Sequence, residues 1–449
     1  MVQPRPVVAA AEPWTFPTGT QHTLDNGMRV LLYNRPGQHI TSTRLVLPVP
    51  LAVEPRQLEG VATLVSRTMD EGTASHSADE LAELFERDGI ALAAGYGARG
   101  MTVELEAMAS RSARGWELLT ECLREPVFPQ EEVERHLKQR LAEYEQEQAS
   151  PGARAALEWA EAFYSPDSRA SRSAAGTPET VRAISRDDVA GFHADWVRPN
   201  GATIVVAGEL DEAATVAALN ATLGSWQVNG EAPQSDSPAA IVAGGGPRIR
   251  FVDRPGAVQT EVYVGSFGPD RRDKHGWAPY PALGFAVGGS PGARLDAVLR
   301  EEKGYTYGFR AGFRPRAVGG VFVASGSVRS DVTVEATELT LSILDEVSGK
   351  PLTAEETRSA VDYIGKTAPA RYATADAVAD EAAALELDGL STEFVSSYLA
   401  QLATLTPDDL NAAWGAYAGE PRTVVLVGDA EAHAEGVRGL GRGEVTVVG

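Results

Sequence analysis

The stretch Gly60-Val61-Ala62-Thr63-Leu64-Val65-Ser66-Arg67-Thr68-Met69-Asp70-Glu71-Gly72-Thr73 predicts an amphipathic helix followed by a glycine stop. Its polar positions hold Thr63, Ser66 and Arg67. A zinc-binding helix needs two neutral imidazoles one turn apart, with a carboxylate beside them to act on the metal-bound water. Thr and Ser cannot supply those groups, and the cation of Arg67 would repel Zn²⁺. The segment therefore predicts an amphipathic helix whose polar residues cannot bind zinc.

A second informative block lies in the other half of the chain and reads Gly288-Gly289-Ser290-Pro291-Gly292-Ala293-Arg294-Leu295, then Leu299-Arg300-Glu301-Glu302-Lys303-Gly304-Tyr305-Thr306-Tyr307-Gly308. Arg300 and Tyr307 are seven residues apart. A guanidinium and a phenol can hydrogen-bond a peptide carbonyl and stabilise the oxyanion that forms as water adds. The alternative is structural, with Arg300 capping a helix that stops at Gly304 and Tyr307 half-buried in a strand.

These blocks resemble the pitrilysin / mitochondrial processing peptidase family, the inverted zincins, whose helix has the pattern Gly-(aliphatic)-Ala-His-x-x-Glu-His. Thr63 and Arg67 stand at the two His positions, and Ser66 stands at the Glu position. Glu143 matches the distal Glu ligand of the family, and Ala93 replaces an Asn that lies beside the scissile peptide. The resemblance implies that this chain holds no zinc. We expect Glu143 to form an ion pair, with Arg67 as the partner, because an unpaired buried carboxylate is costly.

The same resemblance assigns Arg300 and Tyr307 to a clamp that holds the substrate peptide over zinc bound elsewhere. Loss of the metal half with retention of the clamp implies the non-catalytic subunit of a heterodimeric zinc metallopeptidase. Its partners would be a peptide substrate and a zinc-binding subunit of the same family with an intact His-x-x-Glu-His, while this chain itself would bind no cofactor. The alternative is a structural or peptide-binding protein of the same fold with no peptidase role, as in the core subunits of respiratory complex III.

Composition limits the classes of partner and of site that the chain can have. The 449 residues carry a formal net charge of −22, which argues against nucleic acid and anionic membranes as partners. The single Cys122 excludes an internal disulfide framework, and the seven His residues include no pair at helical i, i+4 spacing. No apolar run approaches the length of about 20 residues that a membrane span needs. We expect a cytoplasmic protein, and the preference for Arg and Ala suggests a bacterial source.

The chain contains an internal repeat. Ser185 begins a helix that precedes the aliphatic run 203–209, and Thr406, 221 residues later, begins a helix that precedes the run 423–429. This predicts an N-terminal peptidase-like domain (1–228), a linker (229–247) and a C-terminal domain (248–449). Strands followed by helices favour the α+β class with a sheet covered on one face. The resemblance implies two homologous domains, each a mostly antiparallel or mixed β-sheet backed by helices.

Overall fold

The computed structural model describes residues 9, 12–228, 230, 244–316 and 319–449. Within them, twelve strands form two six-stranded sheets. The strands are β1 (Thr20–Thr23), β2 (Arg29–Asn34), β3 (Ile40–Leu47), β4 (Ala91–Gly97), β5 (Gly100–Met108), β6 (Thr203–Gly208), β7 (Arg248–Asp253), β8 (Gln259–Gly268), β9 (Arg310–Arg314), β10 (Gly320–Arg329), β11 (Thr423–Gly428) and β12 (Glu444–Val448).

Sixteen α-helices occur in the same part of the chain: α1 (Val61–Thr68), α2 (Ala78–Asp88), α3 (Ser112–Arg124), α4 (Gln130–Ala149), α5 (Pro151–Phe163), α6 (Pro178–Ala183), α7 (Arg186–Trp196), α8 (Glu212–Ala221), α9 (Pro279–Gly284), α10 (Arg294–Asp296), α11 (Thr333–Gly349), α12 (Ala354–Arg371), α13 (Ala375–Leu387), α14 (Glu393–Leu402), α15 (Pro407–Gly415) and α16 (Ala430–Gly439). Two π-helical turns, Phe285–Gly289 and Ala297–Glu302, follow α9 and α10.

The two sheets have matching topology. The N-terminal sheet runs β1-β2-β6-β3-β5-β4 and the C-terminal sheet runs β12-β7-β11-β8-β10-β9. In both, the second and third strands of that order are parallel and the last three pairs are antiparallel. They differ at the first strand, because β1 is antiparallel to β2 whereas β12 runs parallel to β7. The predicted fold, two α+β domains with mixed sheets, is confirmed.

Local signals start and stop several of the helices. Ser77 caps α2 in a capping box with Glu80, and Gly89 ends it with a left-handed φ of 63°. Ser185 and Thr406, the repeat-related caps, each accept a hydrogen bond from the backbone N–H three residues on. The strands that follow, β6 and β11, are buried along their whole length. Each pair of elements therefore occupies the same place in its own half.

One feature differs from the sequence prediction of a sheet covered on a single face. Helix α5 of the N-terminal half packs on β8 and β11, and α13 of the C-terminal half packs on β3 and β6. The second face of each sheet is thus partly covered by a helix from the other half. The indole Nε1 of Trp159 on α5 donates to the carbonyl of Thr423 at 3.1 Å, and the buried Arg44 on β3 donates to Asp380 on α13 at 2.6 Å.

The predicted linker, residues 229–247, lies mostly outside the described residues, so its boundaries stay a prediction. Cys122 is completely buried on α3, as expected for a structural thiol. No helix in the described ranges is both long and apolar enough to cross a membrane.

Candidate functional site

Helix α1 is held at its first turn by a buried carboxylate. Glu54 accepts hydrogen bonds from the backbone N–H groups of Gly60 and Ala62, both at 3.0 Å, and from two guanidinium nitrogens of Arg169 at 2.8 and 3.1 Å. Gly60 has a φ of 106°, and a Cβ there would lie 2.8 Å from the carbonyl oxygen of Ala175. Burial raises the pKa of Glu54 even though Arg169 opposes that rise. The start of α1 is therefore fixed by contacts that sequence spacing alone does not reveal.

Arg67 of helix α1 forms an ion pair with Glu143. The Nη1 atom of Arg67 lies 3.0 and 2.9 Å from the two carboxylate oxygens of Glu143 on α4, and the Gln139 amide donates to the same carboxylate at 3.0 Å. Burial raises the pKa of Glu143, but Arg67 and Gln139 outweigh it and the net pKa is lowered. The predicted Arg67–Glu143 pair is present, and the positive charge of the guanidinium stabilises the ionised carboxylate.

The other positions of the degenerate motif offer no replacement ligand. The buried Ser66 hydroxyl donates to the Thr63 carbonyl at 2.9 Å, so it points back along its own helix. Ala93 on the edge strand β4 is exposed and has only a methyl group. No group of three or more His, Cys, Asp or Glu side chains within the described ranges is arranged to hold a metal ion. These residues do not fit the catalytic zinc of an inverted zincin.

The resemblance assigns Glu143 to the distal-ligand position, and its contact with Arg67 makes metal binding testable. We expect the double change Thr63→His and Arg67→His to give a chain that retains roughly one zinc through two imidazoles and Glu143, the three-ligand set of catalytic zinc sites. Elemental analysis of dialysed protein measures this, and the same pair of changes with Glu143→Gln is the matched control. A zinc content equal in the two variants would show that Glu143 is not placed as a ligand. Peptidase activity should stay absent, since Ser66 and Ala93 remain.

The second candidate pair projects from the C-terminal half. Tyr307 is 94% exposed, and its hydroxyl has no hydrogen-bond partner among the described residues. The turn beneath it is hydrogen-bonded, because the Thr306 hydroxyl accepts from the Gly308 N–H and donates to the Gly308 carbonyl, each at 3.0 Å. The half-buried strand position considered for Tyr307 is therefore wrong.

The Arg300 side chain makes two long ion-pair contacts and no hydrogen bond in the described part of the chain. It belongs to the π-helical turn Ala297–Glu302, and its guanidinium lies 3.5 Å from Glu301 and 3.9 Å from the buried Asp296. It donates no side-chain hydrogen bond to a helix carbonyl in the described structure, so the capping role considered from sequence is not seen. Asp296 also accepts from the Phe309 backbone N–H at 2.6 Å, which ties the Arg300 turn to the Tyr307 loop.

The sequence therefore predicted two clusters, and the structure keeps them separate. Arg67 and Glu143 contact each other, and Asp296 links the helical turn of Arg300 to the loop of Tyr307. No hydrogen bond or ion pair of the described residues joins the two groups. The clamp role of Arg300 and Tyr307 stays a prediction. Sequence reasoning missed the Glu54–Arg169 anchor, since those residues are 115 positions apart and neither lies in a recognisable motif.

Comparison with known proteins now adds to this geometry. Residues 29–170 match the family described as Insulinase (Peptidase family M16), and residues 183–363 match the Peptidase M16 inactive domain. The chain belongs to peptidase family M16. It matches both descriptions in turn along its length, and the resemblance to this peptidase family is confirmed.

Relatives of this M16 protein carry contrasting names. An uncharacterized zinc protease of Mycobacterium tuberculosis is 23% identical over 334 residues, which covers 74% of this chain and 76% of the relative. The non-peptidase homolog YmxG of Helicobacter pylori is 24% identical over 362 residues, covering 78% and 80%. The crystal structure of a peptidase M16 inactive domain from Pseudomonas fluorescens matches with a TM-score of 0.83 at 21% identity, over 92% of this chain and 98% of that one. The chain thus has the fold of a peptidase-like protein of inactive type.

Proposed function

We propose that the chain is the non-catalytic subunit of a heterodimeric zinc metallopeptidase, and that it contributes half of the chamber wall and the Arg300–Tyr307 pair. The partner is a second M16 subunit with an intact His-x-x-Glu-His that binds the zinc. The substrate is a peptide whose scissile carbonyl lies between that zinc and the clamp.

The observation that carries this proposal is the unequal state of the two clusters. In the N-terminal half, Arg67 neutralises Glu143, so the ligand position is closed by the protein itself. In the C-terminal half, Tyr307 is almost fully exposed, and Arg300 makes two long ion-pair contacts, 3.5 Å to Glu301 and 3.9 Å to Asp296. An aromatic side chain as exposed as that of Tyr307 contributes little to the stability of the fold. A group preorganised to bind another molecule explains that arrangement.

Reconstitution tests the proposal. The M16 protein with an intact motif from the same genome should co-purify with this chain, and the mixture should cleave fluorogenic peptides that neither subunit cleaves alone. Chelation of zinc should abolish that activity, because zinc held by the partner subunit would supply the activation of water that this chain lacks. Full activity of the motif-bearing protein by itself would remove this chain from the chemistry. Cleavage by this chain alone would equally contradict the proposal.

A structural or peptide-binding protein without peptidase role is the second candidate, favoured by the relative named as a non-peptidase homolog. It makes the opposite forecast in the same assay. The two chains would associate, or this chain would bind peptides, with no gain in hydrolysis.

A further inference from the structure

The edge strand β9 of the C-terminal sheet presents a row of arginines. Arg310 and Arg314 are exposed at its two ends, and Arg316 follows two residues later. Cross-strand partners share a face of a sheet, and Arg314 is paired with Val321, which packs in the cluster around α5. Arg314 therefore lies on the α5 face, beyond the strands that α5 covers, whereas the Arg310 guanidinium contacts Asp296 of α10.

Contacts of the individual side chains place them on the same face. The Arg314 Nη1 donates to the Tyr263 hydroxyl at 3.4 Å, and the Arg316 guanidinium lies 5.0 Å from the ring centre of Tyr164. Both tyrosines belong to the cluster that α5 forms with the sheet. These aromatic groups orient the two guanidinium groups without neutralising them.

The charge of this row is unbalanced. Neither Arg314 nor Arg316 has a carboxylate within 4.0 Å in the described part of the chain, although the protein carries 62 acidic residues against 40 basic ones. The counterpart strand β4, at the same place in the N-terminal sheet, has the sequence Ala-Leu-Ala-Ala-Gly-Tyr-Gly and no charge. The fold itself therefore does not require arginines at this edge.

The row begins beside the clamp. Asp296 Oδ2 lies 3.0 Å from the Arg310 guanidinium and 3.9 Å from that of Arg300. From Arg310 to Arg314 the strand advances about 13 Å, because each residue of a strand adds roughly 3.3 Å. That distance matches about four residues of an extended peptide. A peptide held at Arg300 and Tyr307 can thus place its neighbouring side chains along β9.

We propose that Arg314 and Arg316 bind acidic side chains of the substrate peptide, on the segment that extends from the clamp along β9. The substrate class is a peptide with Asp or Glu several residues from the bond presented to the zinc. This inference rests on the proposed function for the place of the clamp, but the recognition belongs to this chain alone.

Fluorescence anisotropy with the purified full-length chain tests the inference without any partner. The probe is a short fluorescein-labelled peptide of alternating Glu and Ala, compared with the same peptide carrying Gln or Lys in place of Glu. We expect the Glu peptide to bind best, with an affinity that falls as salt is raised. Arg314→Gln with Arg316→Gln should weaken its binding about three- to tenfold and remove the preference over the Gln peptide.

Matched variants separate charge recognition from loss of structure. Arg438→Gln changes an exposed arginine on α16, which packs with α11 away from β9, and should leave binding unchanged. Arg314→Glu with Arg316→Glu should make the Lys peptide the preferred probe, a gain that a misfolded chain cannot give. Equal binding of the Glu and Gln peptides, no detectable binding of the Glu peptide, or tighter binding of oligothymidylate would overturn the inference. Inactivity of a reconstituted heterodimer would leave this result unaffected, so the two proposals fail separately.

Discussion

Replacing Arg300 with Ala, or Tyr307 with Phe, is expected to lower the turnover of the reconstituted peptidase by about 10²–10³-fold, the usual cost of one preorganised oxyanion donor. The expected loss is in kcat at saturating peptide, because these groups gain most when charge develops on the carbonyl oxygen. The zinc content and the ratio of the two subunits should not change. In the described structure neither side chain has a hydrogen bond or ion pair with Arg67 or Glu143, and the only buried group in an ion pair with either is Asp296, 3.9 Å from Arg300.

The exposure of Tyr307 also predicts how little its substitution should affect the stability of the chain. Because Tyr307 is 94% exposed, removing its hydroxyl should change the free energy of unfolding by less than about 0.5 kcal/mol. Tyr363→Phe is the matched control for turnover, since Tyr363 is 56% exposed in the same half but stacks on Phe285. Full activity of both the Arg300 and Tyr307 variants would leave this chain a scaffold.

Trp159→Ala should give the largest loss of stability, about 3–5 kcal/mol, as expected for removing a buried aromatic side chain. The indole is 3% exposed, stacks on Phe163 at 4.4 Å, and lies against Gly265 of β8, where a Cβ would come within 2.4 Å of the ring. Its hydrogen bond to the Thr423 carbonyl would also be lost, which leaves that carbonyl without this donor.

Denaturant unfolding followed by circular dichroism measures this loss. Since α5 belongs to one half and its binding surface to the other, hydrogen exchange should show faster opening of β8 and β11 as well as of α5. Trp196→Ala is the control, because Trp196 is half-buried at the end of α7 and packs with Phe192 of its own half. A change in the free energy of unfolding below about 1 kcal/mol, or faster exchange confined to α5, would show that α5 does not couple the two halves.

The sequence predicted what local patterns determine. The helix 61–68 and the repeat-related caps at Ser185 and Thr406 each depend on neighbouring residues, and all are present. The family pattern also identified Glu143, so its contact with Arg67 could be predicted across 76 positions.

Other features had no local signal. The pattern of α5 shows that one face is buried, but it does not say which half of the protein covers that face. The role of Glu54 depends on Arg169, and the exposure of Arg314 depends on which strand forms the sheet edge. Such placements follow from tertiary topology, which periodicity and spacing do not encode.

The exchange of α5 and α13 has a consequence for synthesis on the ribosome. Trp159 emerges 264 residues before Thr423, whose strand completes its binding surface. At 5–20 residues per second, translation leaves the indole of α5 without that surface for roughly 13–50 s. The apolar face of α5 therefore stays exposed after the N-terminal half has been synthesised. In truncated or stalled chains it remains accessible to chaperones and proteases. A nascent chain that ends before β11 cannot reach the native state, however stable its own sheet.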